Sequence, residues 1–266
     1  MCLAAVGTLI AGCASSRRSD GRFASDRGVS HGQTPWILTG PACILLTNAD
    51  SFVAHILVTE NGATEGRPPA LSGELYCRLT RLYLVPDAPH SRSRHGYPDA
   101  LSFIWNVSQG SGFALSEPLQ GYAPIGSPLR LTNVLIEADS RIPPPDKIEG
   151  HRCAREIITV VSGEGYTNQF EAWRAPDLKN VRLKIISRVG DAPFKVTLSQ
   201  VRLGSLPLAM FEPPPGFTPY ASLMAMQNEL AQRELNQRRR LESELPENSQ
   251  PTWQEKNRKP GTQPGE

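Results

Sequence analysis

The sequence predicts a mainly β domain with antiparallel strands, followed by one C-terminal helix. Residues 35–220 consist of short apolar runs separated by turn residues, which is typical of strands joined by hairpins. In 194–201 apolar and polar residues alternate with a period of two, as on a strand with one buried face. The alternation breaks at Gln200, as at a bulge or a strand end. Residues 222–245 contain neither glycine nor proline and are rich in strong helix formers.

About ten strands are predicted within this domain, at 42–46, 51–59, 73–85, 102–107, 112–115, 130–137, 151–162, 167–174, 182–187 and 194–203. Residues that tolerate positive φ lie at 60–62, 163–165 and 189–191, and they indicate hairpin connections there. The proline runs at 143–145 and 213–215 would each end a strand, because proline cannot donate to the hydrogen-bond ladder.

The C-terminal helix is predicted over 221–245, with Ser222 as its N-cap. Its first two turns carry an apolar stripe at spacings of three and four residues, formed by Leu223, Met226 and Leu230. The later turns are almost entirely charged or amide residues, so we expect the helix to dock at its start and to continue into solvent. Residues 246–266 have one aromatic side chain and are predicted to be a disordered tail.

The N-terminal residues predict a targeting signal. Residues 1–12 form an apolar run without a basic start, as in a signal peptide whose beginning is truncated. Ile10, Ala11 and Gly12 precede Cys13, and this pattern resembles the bacterial lipobox, in which cleavage falls before the cysteine that receives the lipid. The alternative is a short apolar segment with an incidental cysteine.

The resemblance to a lipobox implies a membrane anchor at Cys13 and a location on the periplasmic side of the bacterial cell envelope. Ala14 is not aspartate, which in similar Gram-negative lipoproteins points to the outer membrane. Residues 13–34 are polar, charged or glycine with few apolar side chains, so we expect them to form a lipid-anchored flexible tether.

Composition and motifs exclude several classes of protein. The 28 basic and 26 acidic residues give a formal charge of +2, which indicates no nucleic-acid partner. The motifs G-x-S-x-G, H-E-x-x-H and G-x-x-x-x-G-K-[ST] are all absent, so no catalytic residue and no cofactor are predicted. An envelope hydrolase built around His151 or Ser111 is the least favoured alternative.

Histidine and cysteine spacing predicts no metal site. His90 and His95 lie in a polar stretch at 86–98 and lack the spacing of a zinc motif. His151 and Cys153 would point to one face of a strand, which is half of a metal site, but no second half is evident.

The three cysteines that follow Cys13 are Cys43, Cys77 and Cys153. An oxidising compartment permits one disulfide, and an odd number leaves one thiol over. Cys43 with Cys77 is the preferred pair, because both fall in early predicted strands.

Three blocks of residues resemble a known family. They are KIEGHRC at 147–153, WRAPDL at 173–178 and MFEPPPGF at 210–217. They resemble an uncharacterised bacterial periplasmic lipoprotein family, a domain of unknown function, related to the LolA/LppX-like half-barrels. The residues that carry the motif are Gly150, Cys153, Trp173, Asp177, Phe211, Gly216 and Phe217. The resemblance covers 147–220 well and 35–137 by strand count alone.

The resemblance implies a curved antiparallel sheet or unclosed β-barrel, with helices across its mouth and a concave face that holds acyl chains. The motif residues themselves suit structural roles: Trp173 as a buried anchor, Asp177 as a turn or cap residue. Phe211 and Phe217 would flank a proline-stiffened corner. The competing interpretation is a concave face filled by the protein's own side chains.

A ligand groove would be lined from one face of alternating strands, for example Phe194, Val196 and Leu198, or Ile157, Thr159 and Val161. The sequence therefore predicts a non-catalytic envelope lipoprotein that binds or carries a lipophilic ligand, a lipid or the acylated part of a lipoprotein, and is held to the membrane by its N-terminal lipid. The alternative is a scaffold that recruits a protein partner through the C-terminal helix and tail.

Overall fold

The computed structural model describes residues 35–60, 69–87, 101–126, 133–137, 146–161, 167–187 and 193–244. The strands are β1 Asn48–Glu60, β2 Leu71–Leu79, β3 Arg81–Pro86, β4 Leu101–Asn106, β5 Ser111–Ser116, β6 Gly121–Gly126, β7 Asn133–Glu137, β8 Asp146–Ile148, β9 His151–Val161, β10 Thr167–Ala175, β11 Val181–Ser187, β12 Phe194–Leu203 and β13 Thr218–Pro219. The α-helices are α1 Trp36–Thr39 and α2 Leu223–Glu244, and 3-10 helices span Pro41–Leu46, Pro176–Leu178 and Leu208–Phe211.

The strands form one sheet in the order β13-β6-β5-β4-β3-β2-β1-β12-β11-β10-β9-β7, and β8 pairs with β9 beside this path. Pairing is antiparallel throughout, except that β13 runs parallel to β6. The end strands β13 and β7 do not pair with each other in the part of the chain that the structure describes. The sheet is therefore a curved, unclosed antiparallel half-barrel with a C-terminal helix, and the predicted fold class is confirmed.

The main core lies on the inner, concave face of the sheet. On β1 every second side chain from Phe52 to Val58 is buried there, as the period of two requires. Residues 36–46, which comprise α1 and the first 3-10 helix, lie across this face and are here named the cover segment. Its Ile37, Leu38 and Leu46 are buried in the same core as the strand residues.

A second, smaller core lies on the outer face of β2–β6. Ile104, Leu115 and Phe211 are buried there. Their partly buried neighbours are Tyr76, Tyr83, Phe113, Tyr122, Leu206, Met210 and Phe217. Because this part of the sheet is covered on both faces, β4 is buried at four consecutive positions rather than at every second one.

The helix α2 docks by its first turns. The Ser222 hydroxyl accepts a hydrogen bond from the Ala225 amide at 3.2 Å, as an N-cap does. Met226 and Leu230 are buried in the main core, and Leu223 packs against it. Within the residues that the structure describes, none of the helices combines the length and the apolar character needed to cross a bilayer.

Two predictions of strand position are wrong or incomplete. Residues 42–46 form a 3-10 helix, since periodicity cannot identify a short apolar run that is buried on nearly all sides. The predicted strand 73–85 is two strands, β2 and β3. They are joined by a tight turn at Leu79, which has a φ of 55°. Because the turn contains no glycine, proline or asparagine, the sequence gives no local signal for it.

The strands β6, β8 and β13 were not predicted. β6 contains Pro124, which is tolerated because β13 pairs only with Gly121 and Tyr122. The break in alternation at Gln200 is confirmed as a bulge: its φ is 53°, and the register between β1 and β12 shifts beside it.

Several predictions lie outside the described residues. They concern residues 1–34 with Cys13, the turns at 163–165 and 189–191, most of the turn at 60–62, the stretch with His90 and His95, the prolines at 143–145, and the tail 246–266.

We predict that Gly112→Ala lowers the free energy of unfolding by roughly 1–3 kcal/mol, because a Cβ there would collide with the Ile104 carbonyl oxygen on β4. Gly204→Ala is the matched control, since a Cβ at Gly204 meets no atom within 4 Å and should change stability by less than about 0.5 kcal/mol. Urea unfolding curves measure both. Equal stability of the two variants would contradict the close approach of β5 to β4.

Candidate functional site

The concave face is the first candidate site. Val196 and Leu198 on β12 point into it and are fully buried, and Phe194 is half-buried at its margin. The second predicted lining set, Ile157, Thr159 and Val161, lies on the opposite face, because the buried residues in this part of β9 are Ile158 and Val160. The face is occupied by the protein's own cover segment.

The cover segment is attached at both ends. At its start the Trp36 ring packs edge-on against Phe194, with the ring centroids 4.4 Å apart. At its end the Thr47 hydroxyl donates to the Ile44 carbonyl at 2.7 Å. The Asn48 side-chain amide donates a hydrogen bond to the Lys179 backbone carbonyl at 3.0 Å. This bond connects the end of the cover segment to the turn between β10 and β11.

A cavity of about 350 Å³ opens beside that attachment. Three parts of the chain form it: residues 47–49, the turn at Leu79 and Thr80, and the ends of β10 and β11. The turn between β10 and β11 is tight, with Lys179 and Asn180 both at positive φ. It brings Arg174, Asn180 and Arg182 to the cavity wall.

Glu156 lies behind this wall and is buried. Its Oε1 accepts a hydrogen bond from Arg174 Nε, and Arg174 Nη1 donates to Asn180 Oδ1. Arg182 Nε is 3.7 Å from Glu156 Oε2, and neither of these two buried atoms has a hydrogen-bond partner among the described residues. Burial lowers the pKa of the Arg182 guanidinium, Glu156 opposes this shift, and Arg174 adds to it.

Sequence reasoning missed this polar group. A signal for it exists in β9, where Glu156 occupies the same alternation as the core residues Ile158 and Val160. A carboxylate at a core position requires a buried partner. Its partners Arg174 and Arg182 come from two other strands, and only the pairing of the sheet brings them together.

The structure gathers the predicted motif residues into two places. At the start of β9, His151 Nδ1 is 2.6 Å from Asp177 Oδ2, and this contact lowers the pKa of Asp177. Trp173 is buried, with its Nε1 donating to Asp146 at 2.7 Å. Gly150 forms the β8–β9 turn at a φ of 84°, a conformation that favours glycine.

Phe211, Gly216 and Phe217 lie instead around the outer core, where Gly216 has a φ of 88°. The two motif places thus serve packing and chain reversal. Among the described residues no group of three or more histidine, cysteine or carboxylate side chains could hold a metal ion.

A serine, a histidine and an aspartate meet on the outer face of β1 and β2. Ser72 Oγ donates to Asp87 Oδ2 and lies 3.3 Å from His55 Nε2, and the same Nε2 is 3.1 Å from Asp87 Oδ2. In a catalytic triad the aspartate holds the ring nitrogen that the serine does not use. Here serine and aspartate share one nitrogen, so the cluster lacks the geometry that activates a nucleophile. Ser111 lies exposed at the start of β5, away from this cluster in the sheet.

The cysteines Cys43, Cys77 and Cys153 are free and buried in the structure. The predicted pairing of Cys43 with Cys77 rests on both residues lying in strands. Cys43 lies instead in the 3-10 helix Pro41–Leu46. Burial raises the pKa of the Cys43 and Cys77 thiols to about 12. The pKa of Cys153 is also raised, mainly by burial.

No protein-family model matches the sequence, and no curated protein is significantly similar to it. Similar solved structures include PNGF-II, at 11% identity over 70% of this chain and a TM-score of 0.38. This chain spans only 33% of PNGF-II.

The mycobacterial lipoprotein LppX and the protein LprF are also among the similar structures. LppX of Mycobacterium tuberculosis is 12% identical over 58% of this chain and 88% of its own, with a TM-score of 0.32. LprF of Mycobacterium bovis is 13% identical over 66% of this chain and 95% of its own, with a TM-score of 0.28. These sequence identities and TM-scores assign no function to this chain.

We predict that the three buried thiols of residues 14–266 react slowly with iodoacetamide in the native protein, even near pH 10. An ordinary cysteine with a pKa of about 8.5 is ionised at that pH, whereas Cys43 and Cys77, with pKa values of about 12, remain protonated. After denaturation without reductant, mass spectrometry should show three alkylated cysteines. A single alkylated cysteine would reveal a disulfide and contradict the free thiols.

Proposed function

We propose that this protein is a lipid-anchored envelope protein that binds or carries a lipophilic ligand, a lipid or the acylated part of a lipoprotein, against the concave face of its sheet. One observation carries the proposal. The apolar concave face is closed by the short cover segment 36–46 and by the first turns of α2, rather than by a second sheet.

The cover segment has the properties of a replaceable lid. Its two helices span four and six residues, and neither has a side-chain hydrogen bond at its N-cap. Helices this short have little stability of their own. The segment is held by the burial of apolar side chains, each worth about 1.5–3 kcal/mol. An acyl chain offers the same kind of surface, so it could replace these contacts without a large loss of free energy.

The proposed anchor would bring a membrane lipid close to this lid. Cys13 would carry the lipid and residues 13–34 would tether the domain, so the cover segment at 36–46 would begin close behind the tether. Several acyl chains on one cysteine, at about 0.8 kcal/mol per buried methylene, anchor a protein firmly. We propose the periplasmic face of the outer membrane as the site of attachment.

A second candidate function is a scaffold that recruits a protein partner. The observation in its favour is that none of the described side chains of α2 beyond Leu230 is buried. Leu235 and Leu241 are exposed there. The pair Arg233 and Glu229, at 2.8 Å, stabilises this stretch as a helix in solvent.

The experiment that tests the carrier function uses residues 14–266 purified from a bacterial periplasm without detergent. Native mass spectrometry and lipid extraction should find a stoichiometric acyl lipid that is released on denaturation. A ligand-free mass, no stabilisation by added phospholipid, and capture of a protein partner that depends on 221–266 would instead support the scaffold.

We predict that Trp36→Ala speeds the uptake of a fluorescent fatty acid by about two- to tenfold, because it removes the aromatic contact that holds the lid to Phe194. Leu208→Ala is the control, since Leu208 is as exposed as Trp36, at 45% against 41%, and lies outside the lid. Stopped-flow fluorescence measures both rates. An unchanged rate in Trp36→Ala would contradict opening at this end of the lid.

A further inference from the structure

We infer that Arg174 and Arg182 form a binding site for an oxyanion, of the phosphate type, in the cavity at the end of the cover segment. The geometry alone supports the oxyanion site. Its assignment to the headgroup of an anionic lipid rests on the proposed function.

The charge of the group is unbalanced. Two guanidinium groups face one carboxylate, Glu156, so the cluster carries a net positive charge. None of the described residues that line the cavity is acidic; besides Arg174 and Arg182 they are Thr47, Asn48, Ala49, Leu79, Thr80 and Asn180. An anion in the cavity would therefore meet positive charge and no carboxylate on the cavity wall.

In the cluster of Glu156, Arg174 and Arg182, the guanidinium of Arg182 is the group whose hydrogen bonding is incomplete. The Arg182 side chain is only 14% exposed, and its buried Nε forms no hydrogen bond with any residue that the structure describes; Glu156 Oε2, beside it, lies at 3.7 Å. Glu156 instead uses its other oxygen for Arg174. Glu156 is thus a distant ion-pair partner for this mostly buried guanidinium, and an oxyanion in the cavity would add a second partner on its accessible side.

The remaining donors suit an oxyanion. A guanidinium presents up to five N–H donors in a planar fork that matches phosphate oxygens. Asn180 also lines the cavity, and its Oδ1 accepts from Arg174, so its side-chain nitrogen is not used in that hydrogen bond. The cavity, of about 350 Å³, is open to solvent, so a headgroup can reach the two arginines from outside.

The position of the cavity agrees with a lipid source. Thr47 follows directly on the cover segment, and Asn48 ties that point to the β10–β11 turn. A lipid with its acyl chain under the lid would thus find the two arginines where the lid ends.

The test measures binding to residues 14–266 by calorimetry. Dihexanoyl phosphatidylglycerol below its micellar concentration is the lipid probe, phosphatidylcholine with the same chains is the zwitterionic control, and inorganic phosphate is the free oxyanion. We expect phosphatidylglycerol to bind more tightly than phosphatidylcholine, and added salt to weaken its binding.

The variants change the charge in both directions. Arg182→Gln should weaken phosphatidylglycerol binding by about tenfold or more, as expected on loss of a charge-assisted hydrogen bond. Glu156→Gln should strengthen it, because it removes the competing carboxylate, and this variant keeps the test valid if Arg182→Gln fails to fold. Arg202→Gln, at an exposed position on β12, should change nothing.

The outcomes separate the two proposals. Lipid binding that is insensitive to Arg182→Gln and Glu156→Gln overturns the oxyanion site and leaves the carrier function standing. Binding of inorganic phosphate with the expected dependence on both variants, without any lipid binding, supports the oxyanion site and overturns the carrier function. Absence of all binding overturns both.

Discussion

The antiparallel pairing of β1 with β12 is the contact on which the rest of the structure depends. β1 also pairs with β2, so it joins the N-terminal strands β2–β6 to the later strands β9–β12 in one sheet. The register sets Ile56 opposite Leu198 and Val58 opposite Val196, which places the buried side chains of both halves on one face. A slip of one residue would turn all of them outward.

A sheet joined in this way has a concave face too apolar to be left in water. The fold covers that face with the segment 36–46 and with Met226 and Leu230 of α2. The outer face of β2–β6 is covered separately by the chain around Phe211. Because a short local segment closes the concave side, the same burial that stabilises the fold also makes a face on which an apolar ligand could compete.

The polar end of the half-barrel follows from the same arrangement. Glu156 lies at a core position on β9, and the tight turn after β10 brings Arg174 and Arg182 against it. One buried carboxylate cannot complete the hydrogen bonding of two guanidiniums at the distances observed. Residues 47–49 follow the cover segment directly and line the arginine cavity. The apolar and the charged parts of the candidate site are therefore continuous along the chain.

The sequence by itself determined the strand-rich class, the break in alternation at Gln200 and the helix that Ser222 caps, because alternation and capping are local properties. It could not separate the 3-10 helix at 41–46 from a strand, nor find the turn at Leu79, since neither carries a local signal. Only the tertiary structure decided which strand face is concave and what covers it. The tertiary structure also assembled Glu156 with Arg174 and Arg182, because strand pairing joins residues that are distant in sequence.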